Sequence, residues 1–117
     1  MITCISVLEH IPQYDSAVAS MAGLLEAGGR LVFTFPYNET EFCENVYRLS
    51  GSNAAGETQH TARAFSRKEL NRWASENRLA LVNQEYWRFF TGPFWTVGEW
   101  VCPPQPCLLY TSPSPRD

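Results

Sequence analysis

The side chains best suited to chemistry stand near the start of the chain, in the run Ser6-Val7-Leu8-Glu9-His10. His10 is the strongest candidate for a general base, because an unperturbed imidazole titrates close to neutral pH. The competing interpretation is structural: His10 orders the turn by hydrogen bonding to a backbone carbonyl. Glu9 allows the same two interpretations, and the sequence leaves both open.

Nucleophilic and metal chemistry have weaker support in the residue pattern. Ser6, His10 and Asp15 stand too close along one short turn to form a hydrolase triad, and Cys43 has no partner at a suggestive spacing. The four cysteines include no Cys-x-x-Cys pair and no histidine at ligand spacing, which favours reduced thiols over a zinc site. His60 stands alone in a polar stretch, where it either faces an acceptor or is simply hydrated.

The candidate residues end a run that is typical of a buried strand. Residues 2–7 are apolar and mostly β-branched, without the alternation of a half-exposed strand. Gly28-Gly29 is expected to close the next helix directly before a second buried strand at residues 31–35. That helix is expected to be capped by Asp15 or Ser16 and to carry one apolar face, formed by Val18, Met21, Leu24 and Leu25.

A strand, a helix and a second strand in this order predict a right-handed βαβ unit with parallel strands. Ligands of such sheets bind beyond the carboxyl ends of the strands, which is where Ser6 to His10 stand. Gly28-Gly29 follows a helix and precedes a strand, the reverse of the order in a phosphate-binding loop. We therefore predict an α/β protein whose site lies at the end of the first strand.

Residues 38–64 are polar and irregular, and we interpret them as a lid or insertion with one helical turn near residues 43–49. Ser66 and Glu69 predict a capping box, after which a helix is expected to run to about Glu76 and to stop at Asn77. Residues 79–90 are predicted to form one long strand. Seven aromatic residues of this region could line an acceptor pocket, pack in a core or form exposed patches: Tyr86, Trp87, Phe89, Phe90, Phe94, Trp95 and Trp100.

Composition limits the class of protein and its partners. The 44% hydrophobic and 18% charged content is typical of a globular chain, and 117 residues allow at most one domain. A net charge of -3 without a basic run argues against nucleic acid, and no apolar run is long enough to cross a bilayer. No basic leader precedes the first strand. We therefore expect a cytoplasmic protein that binds neither nucleic acid nor membrane.

Three stretches, ITCISVLEHIP, LLEAGGRLVFTFP and FSRKELNRWASENRLALV, together resemble the later half of class I S-adenosylmethionine-dependent methyltransferases. The resemblance implies a partial doubly wound, Rossmann-like sheet with the fourth to sixth strands of that α/β fold, the first three strands being missing. It also implies S-adenosylmethionine as cofactor, with Ser6, Val7, Leu8, Glu9 and His10 bordering its methionine and sulfonium. Some relatives bind a metal here through Glu-x-x-Glu-His; Ser6 occupies the first position of that pattern, so no metal is expected.

The last residues differ in character from the rest. Residues 107–117, CLLYTSPSPRD, resemble one translated reading frame of a transposase-based sequencing adapter. This suggests a division into residues 1–106, the C-terminal portion of a methyltransferase domain, and a non-native tail at 107–117. The expected function is then a fragment of an enzyme that methylates a small molecule, a lipid precursor or a glycan, and the isolated chain is expected to be inactive.

Two other classes of protein stay open. The first is another doubly wound enzyme, such as a dehydrogenase or a sugar transferase, whose second half can also contain a strand, a helix and a strand preceded by Gly-Gly. The Leu-Glu-His-Ile-Pro turn argues against this class. The second is a non-catalytic interaction module. For the fragment we expect a partial sheet of three or four strands with helices on it, and an exposed edge on its first strand.

Overall fold

The computed structural model describes residues 1–107; residues 108–117, which hold most of the adapter-like stretch, lie outside the described residues. The elements are β1 (Ile2–Ile5), α1 (Tyr14–Leu24), β2 (Leu31–Thr34), α2 (Arg67–Glu76), β3 (Trp87–Phe90) and β4 (Trp100–Pro106). Two 3-10 turns lie between them, at Leu8–His10 and Val46–Arg48. The described chain is a small α/β protein. Within residues 1–107, no helix has the length and apolar character needed to traverse a bilayer.

β1 and β2 pair in parallel and α1 connects them, which confirms the predicted βαβ unit. β1 is shorter than predicted, because Ser6 takes a left-handed backbone conformation (φ 54°) that leaves the strand. Ile5 and Val7 are 53% and 48% exposed, so the prediction of a buried strand is wrong for its second half. The physical reason is that β1 has one strand neighbour, and its other edge is uncovered within residues 1–107.

α1 begins differently from the prediction. Its N-cap is Gln13, which makes no side-chain capping bond, so capping by Asp15 or Ser16 is wrong. Asp15 lies in the first turn and accepts hydrogen bonds from Arg72 at 2.9 Å and from the indole of Trp73 at 2.7 Å. A residue that could have capped α1 therefore tethers it to α2.

The end of α1 also differs. Leu24 is 79% exposed, so the apolar face is shorter than predicted, although Val18 on that face is fully buried. Leu25 caps the helix in an extended conformation. Gly28 has φ 78°, and the N–H of the next glycine donates to the carbonyl of Glu26 at 2.8 Å. Gly28 thus supplies the left-handed position of the turn into β2, and the prediction that it closes the helix is wrong.

β3 and β4 form a second, antiparallel sheet. Residues 79–86 contain no strand, so the prediction of one long strand over 79–90 is wrong. The side chains of Gln84 and Tyr86 instead bind the Arg67 guanidinium at the start of α2. Within residues 1–107 the two sheets have two strands each, and the expected single sheet of more than two strands is not formed.

α2 agrees with its prediction. Ser66 is the N-cap, Asn77 is the C-cap, and the capping box is present. The Glu69 carboxylate accepts hydrogen bonds from the Ser66 N–H at 2.6 Å and from the Ser66 hydroxyl at 2.7 Å. The predicted helical turn in the insertion (residues 38–64) is likewise present, as the 3-10 turn at Val46–Arg48.

Two packed clusters hold these elements. The Phe65 cluster consists of the buried residues Cys4, Leu8, Val18, Phe65 and Trp73 with the partly buried residues around them. The Phe65 ring lies with its centroid 5.1 Å from those of Tyr14, Phe35 and Trp73, each in an edge-to-face arrangement. The Val46 cluster consists of Val46, Ala62 and Ala64, against which Phe94 and Trp95 pack.

Candidate functional site

Parallel pairing places the carboxyl ends of β1 and β2 side by side. The Ser6 N–H donates to the carbonyl of Thr34 at 3.0 Å and lies 2.9 Å from its hydroxyl oxygen. These bonds fix the chain where it leaves β1 and enters the Leu8–His10 turn. The turn therefore lies at the edge of the sheet where α/β proteins bind ligands.

Glu9 is the buried ionisable group of this turn. It is 5% exposed and lines a cavity. Its Oε1 atom has no hydrogen-bond partner among residues 1–107. Burial raises the pKa of the Glu9 carboxyl, and its own backbone N–H and the neighbouring His10 offset part of that rise. Because a buried polar atom without a partner costs free energy, this geometry suits a ligand that supplies the missing hydrogen bond.

His10 points to a different partner. Its Nδ1 atom lies 2.7 Å from the carbonyl oxygen of Thr61, and since a carbonyl only accepts, Nδ1 carries the proton. Nε2 lies 3.8 Å from Oε2 of Glu9, and the side chain is nearly half exposed. The structural hydrogen bond that the sequence left open is therefore present, and the role of His10 as a base stays a prediction.

Arg63 is the residue of this site that sequence reasoning overlooks. Its N–H donates to the carbonyl of Glu9 at 3.0 Å, and its guanidinium reaches the carbonyls of Glu9 and Ile11, each at 3.3 Å. The same guanidinium donates to Glu44 at 2.8 Å. Arg63 thus holds the returning end of the insertion on the Glu9 turn. One signal could have found it: a charged residue between two alanines, two positions before Phe65 and three before the capping box begins.

The cavity that Ser6 and Glu9 share has a volume of about 1430 Å³. Residues 30–40, 80–90 and 92–95 form most of its lining. Six of the seven aromatic residues singled out above line it, and the seventh, Trp100, is exposed and does not. Phe33, Phe35 and Tyr37 add further rings from β2 and the residues after it. Aromatic side chains therefore form much of the lining of this cavity.

A polar cluster stiffens one wall of this cavity. The Arg67 guanidinium donates to the Tyr86 hydroxyl at 2.6 Å and pairs with Glu39 at 3.3 Å. The Tyr37 hydroxyl donates to Glu39 at 2.9 Å, and its ring stacks on Tyr86 with centroids 5.3 Å apart. Burial and the hydrogen bond to Glu39 both raise the pKa of Tyr37, so it stays a donor. The cluster joins residues 37–39, the start of α2 and residues 84–86.

Not all five residues implied to border a cofactor share this cavity. Ser6 and Glu9 line it, whereas Val7, Leu8 and His10 are not among its lining residues. Leu8 is fully buried in the Phe65 cluster, and Val7 and the His10 side chain are about half exposed. The turn therefore points its side chains in several directions, as a 3-10 turn with three residues per repeat does.

The remaining candidates lie apart from the turn. The exposed His60 ring pairs with Glu57 at 3.0 Å. The backbone of Cys43 pairs with that of Ala64, and its thiol is not among the groups that line the cavity. In the part of the chain that the structure describes, no three His, Cys, Asp or Glu side chains are grouped closely enough to hold a metal ion.

The sequence of this chain is similar to that of curated proteins named as O-methyltransferases. The chain is 30% identical over 88 aligned residues to the ubiquinone biosynthesis O-methyltransferase of Coxiella burnetii strain RSA 331 / Henzerling II, and equally to the proteins of that name from strains CbuG_Q212 and RSA 493 / Nine Mile phase I. The alignment covers 71% of this chain and 37% of each relative. The chain thus spans little more than a third of the length of the curated relatives it matches. No family model and no solved structure matches it.

Proposed function

We propose that this chain is the later half of the catalytic domain of an S-adenosylmethionine-dependent methyltransferase. β1 and β2 would be the fourth and fifth strands of its sheet, and β3, which pairs with β4 in a separate sheet here, would be the sixth. The similarity to an O-methyltransferase supports the class of enzyme. The observation that carries the assignment is the parallel pairing of β1 with β2, because it brings the Ser6–His10 turn to the ligand-binding edge of a sheet.

The side chains at this edge fit the cationic end of that cofactor. Sulfonium and ammonium groups need a nearby negative charge or acceptor, and Glu9 offers a buried carboxyl with an unpartnered oxygen among residues 1–107. Ser6 and Glu9 would hold the methionine portion through their side chains, and Val7, Leu8 and His10 would border it through the backbone of the turn. When bound, the cofactor supplies an electrophilic methyl group.

The chain's own residues would seat the acceptor and take its proton. The aromatic walls of the cavity orient an apolar group and exclude water from it. Since Nδ1 of His10 donates to Thr61, the neutral ring has its lone pair on Nε2, beside Glu9, and this atom would accept the proton of the acceptor. The acceptor is a small molecule, a lipid precursor or a glycan, and the name of the relatives favours oxygen as the methylated atom.

Turnover is not expected from the isolated chain. The family's glycine-rich loop and its acidic ribose-binding residue have no counterpart in this sequence. The chain would therefore contact the methionine end of the cofactor and lack most contacts to the adenosine end.

An NMR titration of the isotope-labelled full chain tests this assignment. We expect S-adenosylmethionine to shift the backbone amide signals of residues 6–10 without reaching saturation, and an equal concentration of adenosine to leave them unchanged. Unshifted amides with both ligands would contradict the placement of the cofactor. Tight, saturable binding together with methyl transfer would contradict the expected inactivity of the isolated chain.

A further inference from the structure

The groups that face Glu9 leave its carboxyl without a strong counter-charge. Cys4 on β1 and Tyr47 in the second 3-10 turn are neutral at physiological pH, and the pKa of each is raised mainly by burial and further by the Glu9 charge. Because both groups are neutral, they offer an ionised Glu9 no positive charge. Neither of them neutralises it.

The nearby cationic groups are committed to other partners. The Arg63 guanidinium binds two backbone carbonyls and the Glu44 carboxylate, which is 2.8 Å away. His10 donates from Nδ1 to Thr61, and its Nε2 atom is 3.8 Å from Glu9, beyond hydrogen-bond distance. Within residues 1–107, Glu9 thus has a buried carboxyl with one unpartnered oxygen, and the residue is part of the lining of a large cavity.

We propose that Glu9 is protonated in the free chain and releases its proton to solvent when the cationic methionine end of the cofactor binds, so that the cavity selects ligands by positive charge; this rests on the proposed function. The carboxyl O–H bond breaks, the proton passes to the buffer, and an ammonium N–H of the ligand donates to the carboxylate oxygen that has no partner among residues 1–107. No other bond changes. The ligand takes the place of the proton as the positive partner of the carboxylate.

This exchange makes binding depend on pH in a defined direction. The cation and the proton compete for one carboxyl, so the affinity for S-adenosylmethionine rises with pH until Glu9 is ionised in the free chain. Adenosine lacks the methionine portion and its positive charge, so it does not compete with the proton for Glu9. Burial raises the pKa of Glu9, which brings the competition closer to physiological pH than for an exposed carboxyl.

Carboxyl-carbon NMR of the glutamate-labelled full chain tests the exchange directly, since the carbon shift reports ionisation. At a pH where Glu9 is half protonated, we expect S-adenosylmethionine to move its signal toward the ionised position in proportion to the bound fraction, and adenosine to leave it in place. The Glu9→Gln variant, which assigns the signal, should bind S-adenosylmethionine about tenfold more weakly because it loses a charge-assisted hydrogen bond. The matched Glu26→Gln variant changes an exposed carboxylate outside the cavity and should bind like the unmodified chain.

Two outcomes would overturn this role of Glu9 in different ways. If S-adenosylmethionine shifts the amides of residues 6–10 while the Glu9 carboxyl signal stays in place, the proton exchange is wrong and the proposed function stands. If the amides do not respond, both are wrong for this chain. The measurement on the unmodified chain decides between them even if Glu9→Gln fails to fold.

Discussion

The Phe65 cluster and the Val46 cluster are held together by different forces. The Phe65 cluster joins α1, α2 and the β1–β2 sheet through large apolar side chains and edge-to-face rings. The Val46 cluster buries three small side chains, and its segments are tied by backbone bonds, from Val46 to Ala62 at 2.8 Å and from Cys43 to Ala64 at 3.0 Å.

This difference explains where the candidate site lies. Hydrophobic stabilisation grows with buried apolar area, so most of it comes from the Phe65 cluster, while directional hydrogen bonds order the insertion. Leu8 belongs to the first cluster, and the adjacent Glu9 is bonded through its carbonyl to Arg63 of the insertion. The turn therefore lies at the boundary between a region packed through large apolar side chains and a region ordered mainly by hydrogen bonds.

Truncating one side chain in each cluster gives the largest expected effect and the sharpest contrast. Phe65→Ala removes a fully buried ring and should lower the free energy of unfolding by about 3–5 kcal/mol. Val46→Ala removes two buried methyl groups and should lower it by about 2 kcal/mol or less. Urea denaturation of both variants measures the two losses. Equal losses would contradict the difference between the clusters.

Replacing the arginine that joins the two regions should have the next largest effect. Arg63→Met leaves the carbonyl of Ile11 and the carboxylate of Glu44 without this donor, and should cost about 1–3 kcal/mol. Hydrogen exchange should accelerate at residues 61–65 more than in α1. Arg48→Met, at an exposed arginine, is the control and should change neither. Equal acceleration in α1 would show that Arg63 stabilises the whole chain and not this boundary.

The capping box of α2 should contribute less. Ser66→Ala removes one donor to the Glu69 carboxylate and should lower the free energy of unfolding by about 1 kcal/mol. Ser75→Ala, at an exposed position of the same helix, should leave stability unchanged or raise it slightly, because alanine favours helix. Thermal denaturation compares the two. A larger loss of stability in Ser75→Ala than in Ser66→Ala would contradict the stabilising role of the capping box.

The smallest expected effect is on the pH dependence of stability. Because the pKa of Glu9 is raised in the folded chain, the folded state holds a proton that the unfolded state has already released. Stability should therefore decline as pH rises from the ordinary carboxyl range through the raised pKa of Glu9. Glu9→Gln should flatten this decline, and Glu26→Gln should retain it. Denaturation midpoints over a pH series measure the slopes, and an unchanged slope in Glu9→Gln would assign the decline to another group.

Short-range patterns predicted the local structure well. The βαβ unit follows from apolar runs and a helical period, and the capping box follows from Ser66 and Glu69 alone. Predictions failed where a side chain found a partner far along the chain. Asp15 binds Trp73, 58 residues away, instead of capping its own helix. Residues 84–86 bind Arg67 through side chains instead of extending β3.

The sequence by itself determined that the run from Ser6 to His10 follows a strand and that a second, parallel strand ends beside this run. The strand patterns and the right-handed crossover leave one arrangement of the two strands. Which side chains of that run reach the cavity was decided by tertiary structure alone. Arg63, 54 residues from Glu9, holds the insertion on the turn, and Thr61 takes the ring of His10. Burial, and with it the pKa of Glu9, depends on such contacts between distant segments, which no local pattern contains.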